Sequence, residues 1–235
     1  NLYKYFFKKL DKFVTVSNYL KKEFKKEGFD NIVTLHNKIP LLEFSEIKSN
    51  DLLYMGRLSN EKGIVYLINA MKKVLKYFPN IKLNVVGAGD EEDKLRDLVN
   101  KFNLRNNIYF IGELSHNKIL EYYKKSAVVL IPSICPDSYP TVTMEAMSVG
   151  RPIIASRLGG LPEQIEEGKT GFLVPPRNPE AIAEKIIYLL KRPKLMQKMG
   201  LEGRKKAEKE FNINDYTKKI EELYKKVIKE HNKKL

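Results

Sequence analysis

From residue 51 onward, short runs of consecutive apolar residues alternate with stretches whose apolar positions recur at helical spacing. LLYM (52–55) precedes a helical pattern over 61–78, KLNVVG (82–87) one over 90–103, and IYFIG (108–112) one over 116–125. AVVLIP (127–132) precedes 141–149, PIIAS (152–156) precedes 161–167, and GFLVP (171–175) precedes 179–191. The runs are apolar on successive residues rather than alternate ones, as in strands covered on both faces. The pattern predicts an α/β fold built on a doubly wound parallel sheet. In such folds the ligand crevice lies outside the carboxyl ends of the strands, where the winding reverses.

The first 50 residues do not make a complete unit. LYKYFFKKL (2–10) reads as a helix, FVTVS (13–17) as a strand, 18–28 as a helix and IVTLH (32–36) as a second strand. They resemble the tail of a preceding domain, with the irregular NKIPLLEFSEIKSN (37–50) as linker. The expected division is therefore 1–50, 51–192 and 193–235. In the last part Tyr216, Ile220, Leu223, Tyr224, Val227 and Ile228 fall at helical spacing and predict a long amphipathic helix. Its apolar face needs a partner, for which the preceding domain is the expected candidate.

Charge changes this picture mainly through its placement. Residues 1–38 carry 9 Lys/Arg against 4 Asp/Glu and residues 191–235 carry 15 against 7, while the stretch between holds 19 against 18. The formal net charge of +14 thus sits at the two ends. It lies on lysine-rich helices mixed with acids rather than on one reading surface with aromatic platforms, so nucleic acid is not the expected partner. Two readings of the basic ends stand: solvated helix faces, or peripheral attraction to an anionic membrane surface. A single Cys excludes internal disulfides and Cys-based metal sites. His36, His116 and His231 show no metal-ligand spacing. No apolar stretch reaches the roughly 20 residues of a membrane span and no signal-peptide pattern opens the sequence. The expectation is a cytoplasmic protein, at the membrane surface if the basic helices take the second reading.

Two segments carry candidate chemistry. GRLSNEKG (56–63) sets Arg57 at a strand exit and Lys62 near a helix expected to begin around Asn60. Open backbone N–H groups, a positive helix end, a forked guanidinium and an ammonium together suit a diphosphate. The competing reading makes both surface residues, with Lys62 pairing a nearby carboxylate such as Glu61. In DSYPTVTMEAMSVGRPIIAS (137–156), Pro140 suits the first turn of a helix over 140–149. The N–H groups of Thr141 and Val142 then stay open to a ligand, flanked by Asp137 and Glu145. Those acids would accept hydrogen bonds from sugar or ribose hydroxyls, or simply favour the helix dipole.

Other segments say less. VVGAGDEED (85–93) has Gly87 and Gly89, but Glu92 occupies the third glycine position of a dinucleotide fingerprint. No GxxxxGK[ST] occurs, which argues against a Walker-type ATPase. Paired carboxylates would suit a glycosidase only across a cleft whose second wall is not apparent here. Cys135 reads as a small packed residue rather than a nucleophile, and His116 as a helix-start residue rather than a base.

Taken together, GRLSNEKG, NVVGAGDEEDKL, IYFIGELSHNKI, SAVVLIPS, the D-x7-E of 137–145, AMSVGRPIIAS and GGLPEQIEEGKTGFLV resemble the Rossmann-like C-terminal, donor-binding domain of GT-B retaining glycosyltransferases of group 1, family 4-like. The resemblance covers about residues 51–192, and VTVSNYLKKEF with NKIP resembles the end of that family's N-terminal domain. It implies transfer of a sugar from a nucleotide diphosphate sugar, UDP- or GDP-linked, to an acceptor with retention at the anomeric carbon. No cofactor or metal is implied, the nucleotide sugar being a substrate. By position Arg57 and Lys62 would hold the diphosphate with the amides of Thr141 and Val142, and Arg57, Lys62 and Asp137 would serve catalysis. Glu145 would bind ribose hydroxyls, Asp137 would stand by the donor sugar, Leu114 and His116 by the base, and Tyr139 among the donor contacts. Asp137 departs from the family's usual Glu by one methylene, and Pro140 from its frequent Gly.

The resemblance also implies that the glycan or lipid acceptor is held by an N-terminal domain and that this chain alone transfers little or nothing. A GT-B epimerase or phosphorylase, and a non-catalytic basic module for membranes or nucleic acid, remain as alternatives.

Overall fold

The structure, a computed structural model, describes residues 9–232, apart from the side chains of His116, Asn117 and Asp215. The helix expected over 2–10 lies almost wholly outside the described residues. Six of the expected apolar runs form strands of one parallel sheet: β3 (Leu52–Met55), β4 (Leu83–Val86), β5 (Ile108–Gly112), β6 (Val128–Ile131), β7 (Ile153–Ser156) and β8 (Gly171–Val174), in the order β5-β4-β3-β6-β7-β8. The doubly wound α/β fold read from the sequence is the fold observed.

Successive strand residues go to opposite faces, so each face needs its own cover. Leu52, Tyr54, Leu83, Val85, Val128 and Leu130 join one core, closed by α2 (Ile64–Tyr77), α3 (Glu92–Lys101) and α7 (Pro179–Leu190). Leu53, Val129, Ile131, Ile153 and Ala155 join the other. That face is closed by α4 (His116–Lys125), α5 (Thr141–Val149) and Phe211 at the end of a π-helical turn, Ala207–Phe211, that follows α8 (Pro193–Lys206).

Three boundaries differ from expectation, each for a local reason. The helix expected from about residue 60 begins at Ile64; before it, Asn60–Lys62 make a single 3-10 turn and Gly63 takes a left-handed conformation, φ 67°. A Cβ at Gly63 would stand 2.2 Å from the Pro132 carbonyl oxygen, so the loop passes the exit of β6 only as glycine. Pro140 keeps extended backbone, ψ 136°, and stands just before α5 instead of joining its first turn. The helix expected over 161–167 is one turn, α6 (Leu161–Gln164), because the Glu166 N–H bonds to Thr170 Oγ1 and the chain enters a tight turn.

At the amino-terminal end, β1 (Phe13–Thr15) and β2 (Ile32–Thr34) pair in parallel around α1 (Asn18–Lys26). Residues 37–50, expected as a linker, lie strapped along the second face. The Ile39 N–H bonds to the Phe211 carbonyl, Leu42 N–H to Ser148 Oγ, and Ser45 N–H to the Val149 carbonyl. Arg204 donates to the carbonyl of Leu42, and the Gln197 amide to that of Ile47. The last helix, α9 (Tyr216–Asn232), returns to the amino-terminal elements, where His231 meets Asp11 at 3.0 Å and Lys12 meets Glu230 at 3.5 Å. Tyr216, Ile220 and Leu223 share a groove of about 350 Å³ with Leu10, Val14 and Leu35. Among the described residues no helix is long and apolar enough to cross a membrane.

Candidate functional site

The winding reverses at β3, which has β4 on one side and β6 on the other. The loops leaving β3, β4 and β6 therefore meet at one crevice. At its floor the buried Tyr54 hydroxyl donates to the Arg57 carbonyl at 2.7 Å and so ties the first turn after β3 to the strand. Burial, and next the negative charges of Asp137 and Glu61, push the Tyr54 hydroxyl far above its ordinary pKa, so it remains a donor. Gly87, at φ 126°, packs so closely that a Cβ there would lie 2.0 Å from the Gly56 carbonyl oxygen. The Leu58 N–H bonds to the Ala88 carbonyl, and the Glu91 N–H returns to that of Leu58. Gly87 thus serves close packing of the β3 and β4 exits, which explains glycine here where the dinucleotide fingerprint is incomplete.

These loops border a cleft of about 590 Å³ whose wall includes Gly56, Arg57, Gly87, Gly89 and Leu114. Arg57 is exposed in it. Lys62 is not on that wall. Its ammonium lies on the Asp137 Oδ1 carboxylate oxygen, while Ser133 Oγ donates to Oδ2 at 2.6 Å. Glu61, the neighbour weighed as partner of Lys62, instead accepts from Ser59 Oγ at 2.7 Å. That hydrogen bond first, then its own backbone, holds the Glu61 carboxyl below the ordinary range.

Asp137 sits just before α5, and the Asp137 carbonyl accepts the Gly160 N–H at 2.7 Å. No side chain caps the start of α5 and no acid occupies its first turn, so its positive end is uncompensated from within the helix. Thr141 is exposed there and Val142 half-buried. Glu145, one turn further, accepts the hydroxyl of fully buried Tyr123 at 2.8 Å. Tyr139 is placed differently: it is buried, stacked on His36 with ring centres 4.7 Å apart and edge-on to Phe211. His116 opens α4 as expected, but its side chain is outside those described. Cys135, expected to be packed, is exposed, because it lies in the loop between β6 and α5 rather than under the sheet.

The cleft thus holds Arg57 and Leu114, while the adjoining loops after β3 and β6 join Lys62 to Asp137 just before α5, with Glu145 one turn into that helix. Sequence reading missed Ser133 and Tyr123, which fix the two carboxylates. Ser133 directly follows the apolar run of 127–132, a position that could have drawn notice; the second Tyr of EYYKK gives no such signal. Among the described residues no group of three or more His, Cys, Asp or Glu is placed as a metal site.

Residues 43–206 match the family of glycosyl transferases group 1. A glycosyltransferase of Methanocaldococcus jannaschii is 40% identical over 132 residues, covering 56% of this chain and 33% of that protein. The sucrose-phosphate synthase structure from Thermosynechococcus elongatus superposes with a TM-score of 0.84 at 26% identity, over 92% of this chain and 58% of its own. Anabaena HepE in complex with UDP-glucose superposes with a TM-score of 0.85 over 92% of this chain and 64% of its own; at 20% identity that likeness concerns the fold alone. The chain thus spans a third of the curated relative and about three fifths of these solved neighbours.

Proposed function

The chain belongs to the glycosyl transferases group 1 family, and we propose that within it the chain forms the donor-binding half of a retaining glycosyltransferase. The donor is a nucleotide diphosphate sugar, with a UDP- or GDP-linked sugar as the leading class. Arg57 and Lys62 hold its diphosphate together with the Thr141 and Val142 amides. Glu145 takes the ribose hydroxyls, Leu114 borders the base, and Asp137 faces the sugar. When the glycosidic bond breaks, negative charge grows on the departing diphosphate. Fixed cations and a helix end stabilise that charge more strongly than the ground state, which is what accelerates the step. Because these groups supply the positive charge, no metal is required.

One observation carries the reading: Lys62, from the loop after β3, and Asp137, from the loop after β6, meet at the topological switch point beside an uncapped helix start. A diphosphate arriving there competes with Asp137 for the ammonium and releases the carboxylate toward the sugar. The acceptor, a glycan or lipid, is held by an N-terminal domain, a reading in keeping with the chain spanning only part of its relatives' length. On this reading the chain binds donor and transfers little or nothing unaided.

The test is a calorimetric panel of UDP, GDP, ADP and their sugar conjugates. Binding of one nucleoside diphosphate family that is lost on Arg57→Ala supports the proposal. Absence of binding across the panel, or robust transfer to an acceptor by this chain alone, contradicts it.

A further inference from the structure

Behind Glu145 stands a buried polar chain that reaches the strap of residues 37–50 at Ser45 and Glu46. The Tyr123 hydroxyl, on a side chain with no exposed surface, has the Glu145 carboxylate as its hydrogen-bond partner at 2.8 Å. The Tyr123 main chain is held in turn: its carbonyl accepts Arg151 Nε at 3.0 Å and Ser126 Oγ at 2.9 Å. Arg151 is itself fully buried, the largest such side chain among the described residues. Its hydrogen bonds go to main-chain carbonyls, and Nη2 reaches those of Ser45 at 2.7 Å and Glu46 at 3.2 Å in the strap.

A buried guanidinium is costly to desolvate and costlier to leave unpaired, so such a side chain holds its carbonyl partners tightly. Burial lowers the Arg151 pKa to about 10, which still leaves it charged at neutral pH. A second link runs in parallel: Ser148 Oγ donates to the Glu145 carbonyl at 2.8 Å and accepts the Leu42 N–H at 3.2 Å. The strap, α5 and the end of α4 are therefore one hydrogen-bonded body with Glu145 at its surface.

We propose that Tyr123 is a positioning residue that fixes the Glu145 carboxylate for the ribose hydroxyls, and that Arg151 holds Tyr123 in place from the strap side. This rests on the reading of Glu145 as the ribose contact. A carboxylate with one oxygen pinned by a buried hydroxyl keeps a single rotamer and offers its other oxygen in a set direction, so less freedom is lost on binding. The strap thus reaches Glu145 twice, its carboxylate through Arg151 and Tyr123 and its main chain through Ser148.

The experiment compares a nucleoside diphosphate, UDP or GDP, with its 2′,3′-dideoxy form by calorimetry on the whole chain. Tyr123→Phe keeps the ring and removes only the hydroxyl. It should weaken the ribonucleotide about fivefold, the worth of one hydrogen bond, and leave the dideoxy form unchanged. Glu145→Gln should abolish the preference for the ribonucleotide. The double variant should be no weaker than Glu145→Gln alone, because the two residues act on one contact. Arg151→Lys, which leaves Tyr123 intact, should give the same ribose-selective loss at about twofold.

Equal weakening of both nucleotides by Tyr123→Phe, or no effect of it while Glu145→Gln acts, overturns the positioning role and leaves the donor reading intact. No effect of Glu145→Gln on the ribonucleotide overturns the ribose contact itself, and the positioning role with it.

Discussion

Lys62 places its ammonium on the Asp137 carboxylate across 75 residues of sequence, and Ser133 holds that carboxylate from its other oxygen. The pair joins the two loops that flank the switch point, so an incoming anion must compete with Asp137. Asp137→Asn removes both the competitor and a like charge facing the ligand. Inorganic pyrophosphate should then bind about threefold to tenfold more tightly, a gain of the size expected for relief of one partly exposed charge contact. Calorimetry reads this directly. Unchanged or weaker pyrophosphate binding would show that the pair does not guard an anion site.

Gly63 is the hinge between the 3-10 turn carrying Lys62 and α2. Gly63→Ala forces a side chain into a left-handed conformation, at about 1–2 kcal/mol, and against the Pro132 carbonyl. Thermal unfolding should show a loss of at least about 2 kcal/mol. Nucleotide affinity should fall as well, because any relief moves Lys62. A variant as stable as the parent would contradict the packing at this turn.

The strap over 37–50 is pinned by Arg204, which donates to the carbonyls of Leu42 at 2.7 Å and Ser148 at 2.5 Å. Local opening, rather than global unfolding, sets the cleavage rate of such a segment when closing is fast. Arg204→Ala should therefore speed proteolysis within 37–50 by about tenfold, the equivalent of one lost charge-assisted bond. Cutting as fast in the parent as in the variant would show that the strap is loose.

Glu166 ties the turn before β8 to the end of α8, meeting Lys169 at 2.8 Å and Lys206 at 3.0 Å. The hydrogen bond from Lys169, and next that from Lys206, holds its carboxyl below the ordinary value of 4.5. A depressed folded-state pKa stabilises fully above the unfolded value and loses that contribution as pH falls through the folded value. Stability of the parent should thus drop as pH is lowered from about 4.5, and Glu166→Gln should flatten that part of the profile. Chemical denaturation across pH checks it; parallel profiles would exclude Glu166 as a contributor.

The sheet was legible because strands such as Val128–Ile131 are buried on all four residues and so read as unbroken apolar runs. Lys62 and Asp137 could be singled out because each stands beside a helix start with few other roles for its charge. Their pairing with each other was not legible, since it depends on β3 and β6 being neighbours, a fact of topology that no local pattern encodes. The strap looked like a linker for a similar reason: its anchors Gln197 and Arg204 lie some 150 to 160 residues away. Tyr139 is a different case: the family resemblance implied a donor contact there, and His36 from the amino-terminal segment stacks on its ring, a neighbour that no local pattern announces.

The central claim is that the crevice between the β3 and β6 exits binds a diphosphate through Arg57 and Lys62. The most direct test is calorimetric titration of a nucleoside diphosphate against the matching monophosphate, on the parent chain, Arg57→Ala and Lys62→Ala. The account predicts that the parent prefers the diphosphate, and that each variant loses about tenfold to a hundredfold in diphosphate affinity, the worth of a charged hydrogen bond, with a smaller change for the monophosphate. Diphosphate affinity that survives both substitutions would contradict it.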